Sequence, residues 1–229
     1  MAGCRKVIAV QCRSKSTRFP FKCYAQLNGK TVIRKIYDDL VDEFETEAEV
    51  IVLIPIDDED LALYLLYQNI PFFMAGKTED DVVDRFQTYL IANPDVDLIA
   101  RVTADDPFRN LYDLRKLFEL MEDGMGLFQY GFSSGLPYGR NNEVFLRGFL
   151  LDDSVQKDRE HLSNNLQHFI PNAWLKYSSP ISKFNLSLDT PEQLPFLNYV
   201  AEQVEKQNKS VEYILYQCLE GGKSLWQAR

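Results

Sequence analysis

Along the first 130 residues, short apolar runs alternate with segments of helical periodicity, a pattern that few folds can satisfy. Val7-Ile8-Ala9-Val10 reads as a strand buried on both faces. Thr31–Phe44 reads as a helix with Val32, Ile33, Ile36, Leu40 and Val41 on one side, and Val50–Ile54 as the next strand. The series continues with helices over Asp58–Tyr67, Asp80–Ile91 and Leu111–Met121, and strands over Ile70–Met74, Leu98–Thr103 and Leu127–Tyr130. Apolar strands separated by helices imply a mostly parallel central sheet flanked by helices on both faces, a Rossmann-like α/β architecture. The rhythm then breaks. Gly131, Gly135, Pro137, Gly139 and Gly148 frame a short Glu143-Val144-Phe145 run, read as an irregular segment over about 131–150 with an antiparallel strand. Helices are expected over Gln156–Phe169, Glu192–Val204 and Val211–Cys218, and strands over Trp174–Tyr177 and Phe184–Leu188. A chain of 229 residues suits one domain spanning 1–229.

Charge is distributed unevenly along this scaffold. The first 37 residues hold nine basic side chains and no acid, although the whole chain carries a formal charge of −9. Their centre, Gln11-Cys12-Arg13-Ser14-Lys15-Ser16-Thr17-Arg18-Phe19-Pro20-Phe21-Lys22, leaves the C-terminal end of the first strand. Ligands bind at that edge of an open α/β sheet, and fixed cations with hydroxyls such as Ser16 and Thr17 suit a polyphosphate. A solvated basic face is the competing explanation. The rest of the chain has a formal charge of −18, which repels a nucleic-acid backbone while leaving a small anion free to bind the basic loop. No stretch approaches the ~20 apolar residues of a membrane span, and the N-terminus lacks the apolar core of a signal peptide. A cytoplasmic protein without membrane insertion is therefore expected. Cys4, Cys12, Cys23 and Cys218 lack metal-site spacing and are expected to be free, buried thiols.

Two acidic positions complement the basic loop. In Arg101-Val102-Thr103-Ala104-Asp105-Asp106-Pro107, paired acids leave a strand at the same sheet edge, where a carboxylate can hold a hard cation such as Mg²⁺; an Asp-Pro turn is the plainer alternative. In Leu188-Asp189-Thr190-Pro191-Glu192-Gln193, Thr190 and Gln193 form a capping box with Pro191 at the first helical position. The helix start is thus explained without Asp189, which is left to reach the same cation as Asp105 or to serve as a second turn aspartate. Asp84 and Arg85 sit near a helix start, where capping competes with a role in a nucleotide pocket. Tyr138, Arg140 and Glu143 lie in the glycine-rich segment and are candidates for a pocket mouth. Arg159, Glu160 and His161 fall on an expected helix, with a substrate contact by His161 weighed against a surface histidine.

Taken together, Gln11-Cys12-Arg13, Ser16-Thr17-Arg18-Phe19-Pro20, Lys22, Asp81-Val82-Val83-Asp84-Arg85, Arg101 through Pro107, Glu143-Val144-Phe145, Arg159-Glu160-His161 and Asp189-Thr190-Pro191-Glu192 resemble the cytidylyltransferases of the spore-coat-polysaccharide type. These are relatives of the synthetases that make CMP-activated acidic sugars such as CMP-Kdo and CMP-sialic acid. The likeness is co-linear over about residues 6–205. It implies a GT-A-like nucleotidyltransferase fold, CTP as donor, Mg²⁺ as cofactor and a homodimer. It further implies that Arg13, Ser16, Thr17, Arg18, Lys22, Asp84, Arg85 and Thr103 hold the nucleotide, with Arg13, Lys22 and Asp105 serving the reaction. Asp105 and Asp189 would hold the metal, and Tyr138, Arg140, Glu143, Arg159, Glu160 and His161 would face a small-molecule acceptor. The implied activity is transfer of CMP onto a sugar, sugar acid, phosphate or phosphonate, with release of pyrophosphate, for surface polysaccharide or glycoconjugate synthesis.

The chain departs from the family pattern at Cys12, where alanine is usual, at Lys15 and Phe21, where glycines are usual, and at Asp106. The usual Gly-Leu before Glu-Val reads Gly139-Arg140. Glycine lets backbone N–H groups approach phosphates closely, so a catalytically silent nucleotide-binding relative is the alternative. A GT-A glycosyltransferase is a third reading; it would ordinarily show Asp-x-Asp, and this chain has adjacent Asp105-Asp106.

Overall fold

A computed structural model describes residues 3–78, 80–152, 160, 162–163 and 171–221. Its sheet contains β1 (Lys6–Gln11), β4 (Glu49–Ile54), β5 (Phe72–Met74), β6 (Leu98–Thr103), β7 (Tyr130–Ser134), β8 (Glu143–Leu146) and β9 (Asn172–Lys176), in the order β5-β4-β1-β6-β8-β7-β9. Only β8 runs antiparallel to its neighbours. A separate ribbon pairs β2 (Gln26–Leu27) with β3 (Lys30–Thr31). β1 lies inside the sheet between β4 and β6, and Val7 through Val10 are fully buried, as a strand covered on both faces requires.

Two apolar layers cover the sheet. One takes the buried sides of α1 (Val32–Phe44), α2 (Glu59–Tyr67), α4 (Leu111–Asp123), α6 (Leu194–Gln207) and α7 (Val211–Glu220). The other takes α3 (Val82–Ala92) and the short α5 (Arg147–Leu150). The helical-period reading of residues 31–44 corresponds to α1: Thr31 caps it by accepting from Arg34 N, and Val32, Ile33, Ile36, Leu40 and Phe44 are buried. Among the described residues no helix is long and apolar enough to cross a membrane. None of the four cysteines is in a disulfide; Cys12, Cys23 and Cys218 are buried and Cys4 is half-buried.

Several elements differ from the sequence reading: the β2–β3 ribbon and α5 lie outside the expected elements, and the segment over 131–150 read as irregular holds most of β7 as well as β8 and α5. The strand expected at Leu127–Tyr130 lies at Tyr130–Ser134, because its ladders run from Tyr130 opposite Phe145 and Asn172 to Ser134 opposite Lys176, which leaves Leu127 exposed. The strand expected over Phe184–Leu188 is not one. This segment crosses between two neighbours instead of pairing along one: Tyr138 N donates to Phe184 O, Leu186 N to Tyr138 O, and Leu188 N to Asp105 O at 2.7 Å. The last helix pair is preceded by a 3-10 turn, Pro191–Gln193, with the capping box between Thr190 and Gln193 present. The helix expected over Gln156–Phe169 lies outside the described residues, apart from residues 160 and 162–163, which are not helical.

The register between β1 and β6 positions everything that follows. Gln11 is opposite Thr103, so the loops leaving the two strands emerge side by side at the point where chain order in the sheet reverses. On the far side of this edge, Gly135 has a φ of +82°, and a Cβ there would lie 2.1 Å from Tyr177 O. Gly135→Ala combines a disfavoured left-handed backbone with a clash against main chain, and should cost about 2–4 kcal/mol, measurable as a lower midpoint in urea unfolding.

Candidate active site

The basic loop is shaped by one buried carboxylate. Asp58, immediately before α2, accepts Ser14 N at 2.8 Å and Ser14 Oγ at 2.7 Å, while Ser14 O accepts from Ser16 N and Phe21 N. The turn closes through Phe21, whose φ of 60° is left-handed. A non-glycine residue held in that conformation is strained, and here the Ser14–Phe21 hydrogen bond and stacking on Tyr24 hold it in place. The cations of this loop therefore leave a fixed frame.

They open into a cavity of about 550 Å³ at the C-terminal ends of β1 and β6. Arg13, Ser16, Thr17, Arg18, Lys22, Thr103, Asp105 and Asp189 all line it. Lys22 Nζ donates to Asp105 Oδ2 and stands 3.8 Å from Asp189 Oδ1, which also accepts from Arg18 Nη2 at 2.7 Å. Two carboxylates 84 positions apart in sequence thus share one ammonium. They are drawn together by the Leu188 N to Asp105 O bond, and Gln193 of the capping box accepts from Asp189 N at 2.6 Å, fixing the main chain beneath the carboxylate.

The donor set fits a hard divalent cation. Two carboxylates already converge on a positive charge, with open cavity beside them for water and phosphate oxygens. Among the described residues no three or more His, Cys, Asp or Glu side chains are arranged so that they alone could hold a metal ion. A shell completed by phosphate oxygens and water needs no third carboxylate. Asp106 is committed elsewhere: Arg109 Nη2 donates to it at 2.6 Å, and Thr103 and Ser187 hydroxyls also bond to it. Burial pushes the Asp106 carboxyl up, with Arg109 opposing and Asp105 adding to the shift.

The far wall of the cavity is a half-buried ion pair. Arg101 Nη1 donates to Glu143 Oε2 at 2.8 Å, Arg101 Nε to Gln11 Oε1 at 3.0 Å, and Tyr130 OH to Glu143 Oε1 at 2.8 Å. Burial alone would raise the Glu143 carboxyl, but Arg101 and hydrogen bonds from Ser163, Arg101 and Tyr130 overcome it and hold the group below its ordinary value. Glu143 is therefore a fixed acceptor of hydrogen bonds and a poor base. Beside it, Gly139, with φ of +87°, is wedged against Ser187 N and the Asp106 carboxylate, bringing Tyr138 and Asn141 to the cavity rim. Tyr138 is raised by burial and by the carboxylates of Asp189, Asp106 and Asp105.

Other candidates are placed differently. Arg140 does not line the cavity: it is buried, donates to Phe108 O at 2.7 Å and pairs with Glu212 of α7, so it braces the glycine-rich segment from behind. Asp84 accepts from Lys77 N at 3.1 Å and Arg85 is fully buried, and neither lines the cavity. Glu160 is exposed away from the lining set, and Arg159 and His161 lie outside the described residues. Sequence reasoning overlooked Arg101, Gln11, Arg109, Asn141 and Ser163, all of them lining. Arg101 was discoverable, since it precedes Thr103 by two and so shares its face of β6.

The profile of the family described as Cytidylyltransferase matches residues 7–146. A 3-deoxy-manno-octulosonate cytidylyltransferase of Christiangramia forsetii is 30% identical over 118 residues, 52% of this chain and 46% of that protein, so the chain spans about half the length of the curated relatives it matches. Among solved structures, a cytidylyltransferase from Leptospira borgpetersenii superposes with a TM-score of 0.82 at 19% identity, covering 99% of this chain and 98% of the other. A CMP:2-keto-3-deoxy-manno-octonic acid synthetase complexed with CTP superposes at 0.65 and 18% identity, covering 87% and 99%. At these identities the two superpositions establish the fold.

The Arg101–Glu143 pair yields a stability test. Arg101→Met leaves the half-buried Glu143 carboxylate with hydroxyl donors alone and should cost about 1–3 kcal/mol, whereas Arg101→Met combined with Glu143→Gln should recover most of the loss in chemical denaturation. Because the folded-state carboxyl of Glu143 sits below its ordinary 4.5, its contribution is fully present above that pH and is lost as pH falls through the lower folded value. Glu143→Gln should therefore flatten that portion of the acid-unfolding profile; an unchanged profile would remove the assignment.

Proposed function

The chain belongs to the cytidylyltransferase family, and from that membership we propose that it transfers CMP from CTP to a small acceptor, releasing pyrophosphate, in the synthesis of a surface polysaccharide or related glycoconjugate. The observation that carries this reading is the meeting of Lys22 and Arg18 with Asp105 and Asp189 in one cavity at the sheet edge. Arg13, Arg18 and Lys22, with the hydroxyls of Ser16 and Thr17, are the groups to bind the triphosphate. Asp105 and Asp189 would hold Mg²⁺, which neutralises phosphate charge when bound. An acceptor oxygen attacks the α-phosphorus in line, the new P–O bond forming as the bond to the pyrophosphate oxygen breaks. Catalysis is chiefly positioning and charge neutralisation, with no protein nucleophile.

The acceptor belongs against the Arg101–Glu143 wall, between Tyr130, Tyr138 and Asn141. Hydroxyls, a guanidinium and an ionised carboxylate in one wall suit a polyhydroxylated acid, and a sugar acid is the class to which the matched relative's name points. The same reading takes residues 1–229 as one cytoplasmic nucleotidyltransferase domain that self-associates as a homodimer; an interface built from residues 131–150 does not fit, since only Tyr138 and Gly148 of that segment are exposed.

CTP with Mg²⁺ should raise the melting temperature, and Asp105→Ala should abolish that gain; equal stabilisation by all four nucleoside triphosphates would remove the cytidine assignment. Pyrophosphate release over a panel of sugar acids should fall on the order of 10²–10³-fold in Asp105→Asn. Binding of CTP without pyrophosphate release from any acceptor would instead favour a silent relative.

A further inference from the structure

The phosphate loop is neutralised by the protein's own acids. Arg13 Nη1 pairs with Asp80 at 2.6 Å, Lys15 Nζ stands 3.7 Å from Asp57, Arg18 pairs with Asp189 at 2.7 Å, and Lys22 lies between Asp105 and Asp189. Two of these four cations are thus held by the two carboxylates suited to a metal. We propose that Lys22, assisted by Arg18, is a tethered competitor for the divalent cation, so that metal and nucleotide bind as a coupled pair. The proposal rests on the assignment of Asp105 and Asp189 as metal residues made above.

The physical argument is one of exchange. A divalent ion arriving alone must displace an ammonium that is covalently tethered at the site and therefore present at high effective concentration. The side chains of Lys22, Asp105 and Asp189 are only 14%, 23% and 14% exposed, so water screens their attraction less than at an open surface. A triphosphate arriving alone meets loop cations whose charge is already answered, and faces two carboxylates that repel it. When both arrive, the metal takes the carboxylates while Lys22 and Arg18 turn to phosphate oxygens, and every charge keeps an opposite partner. Each ligand thereby removes the other's competitor, which is positive coupling between two sites and must be reciprocal.

Mn²⁺ binding to the full chain, followed by electron paramagnetic resonance with and without CTP, tests this without turnover. In the wild type, CTP should tighten Mn²⁺ binding roughly 10–100-fold, and Mn²⁺ should tighten CTP binding by the same factor. Lys22→Met should tighten binding of Mn²⁺ alone by about 10-fold and shrink the coupling, although it removes a phosphate-binding group. Arg18→Met should move Mn²⁺ affinity the same way by a smaller factor. Because the Arg18 side chain is 67% exposed, this variant decides the matter if Lys22→Met does not fold. Lys15→Met, whose partner is Asp57, should leave binding of Mn²⁺ alone unchanged. Equal Mn²⁺ affinity with and without CTP, or unchanged or weaker Mn²⁺ binding in both Lys22→Met and Arg18→Met, overturns the proposal while leaving the nucleotide site intact. Failure of the wild type to bind CTP even with Mn²⁺ overturns the functional reading itself.

Discussion

Gln11 and Thr103 lie opposite each other at the ends of two adjacent parallel strands, so the chain leaves the sheet twice at the same height. Because backbone pairing fixes that register, the loop carrying Arg13 through Lys22 and the turn carrying Asp105 face one another. A one-residue slip would send Arg101, Thr103 and the residues following them to the opposite face of the sheet. The third contributor, Asp189, comes from beyond the sheet. Leu188 N donates to Asp105 O and Asp189 N donates to the Gln193 side-chain oxygen, so bonds to the main chain of this segment carry the geometry and its carboxylate faces the cavity cations.

Charge balance organises the site as strongly as backbone geometry does. A cavity lined by so many ionised groups stays folded because each has an answering charge: Lys22 and Arg18 with Asp105 and Asp189, Arg109 with Asp106, Arg101 with Glu143. The side chains of the last two pairs are less than a fifth exposed, so losing one partner costs more there than at an open surface. Their effect is to divide the cavity into an exchangeable ionic end near the loop and a fixed polar wall over β8.

The departures from the family pattern gain a physical account here. Phe21 adopts the left-handed backbone that a glycine would take without strain, so the turn survives the substitution, held by Ser14 and by stacking on Tyr24. Asp106 does not become an additional metal carboxylate, because Arg109 and the hydroxyls of Thr103 and Ser187 engage it. Arg140 is pulled to the back of its loop by Glu212 and Phe108 O.

Local chemistry alone determined the alternation of strands and helices, the basic loop at the end of β1, the acids at the end of β6 and the capping box that leaves Asp189 spare, because period, charge and turn preference are properties of neighbours in the chain. Tertiary structure decided which of those residues share a cavity. Arg140 and Glu143 look equivalent in a glycine-rich stretch, yet the pairing of β8 with β6 places Glu143 on Arg101 while α7 claims Arg140. Phe184–Leu188 has a strand's composition, but its hydrogen bonds go to two separate partners and it becomes the strap that delivers Asp189. Such outcomes depend on long-range partners competing for a side chain, and no periodicity along the chain records who wins.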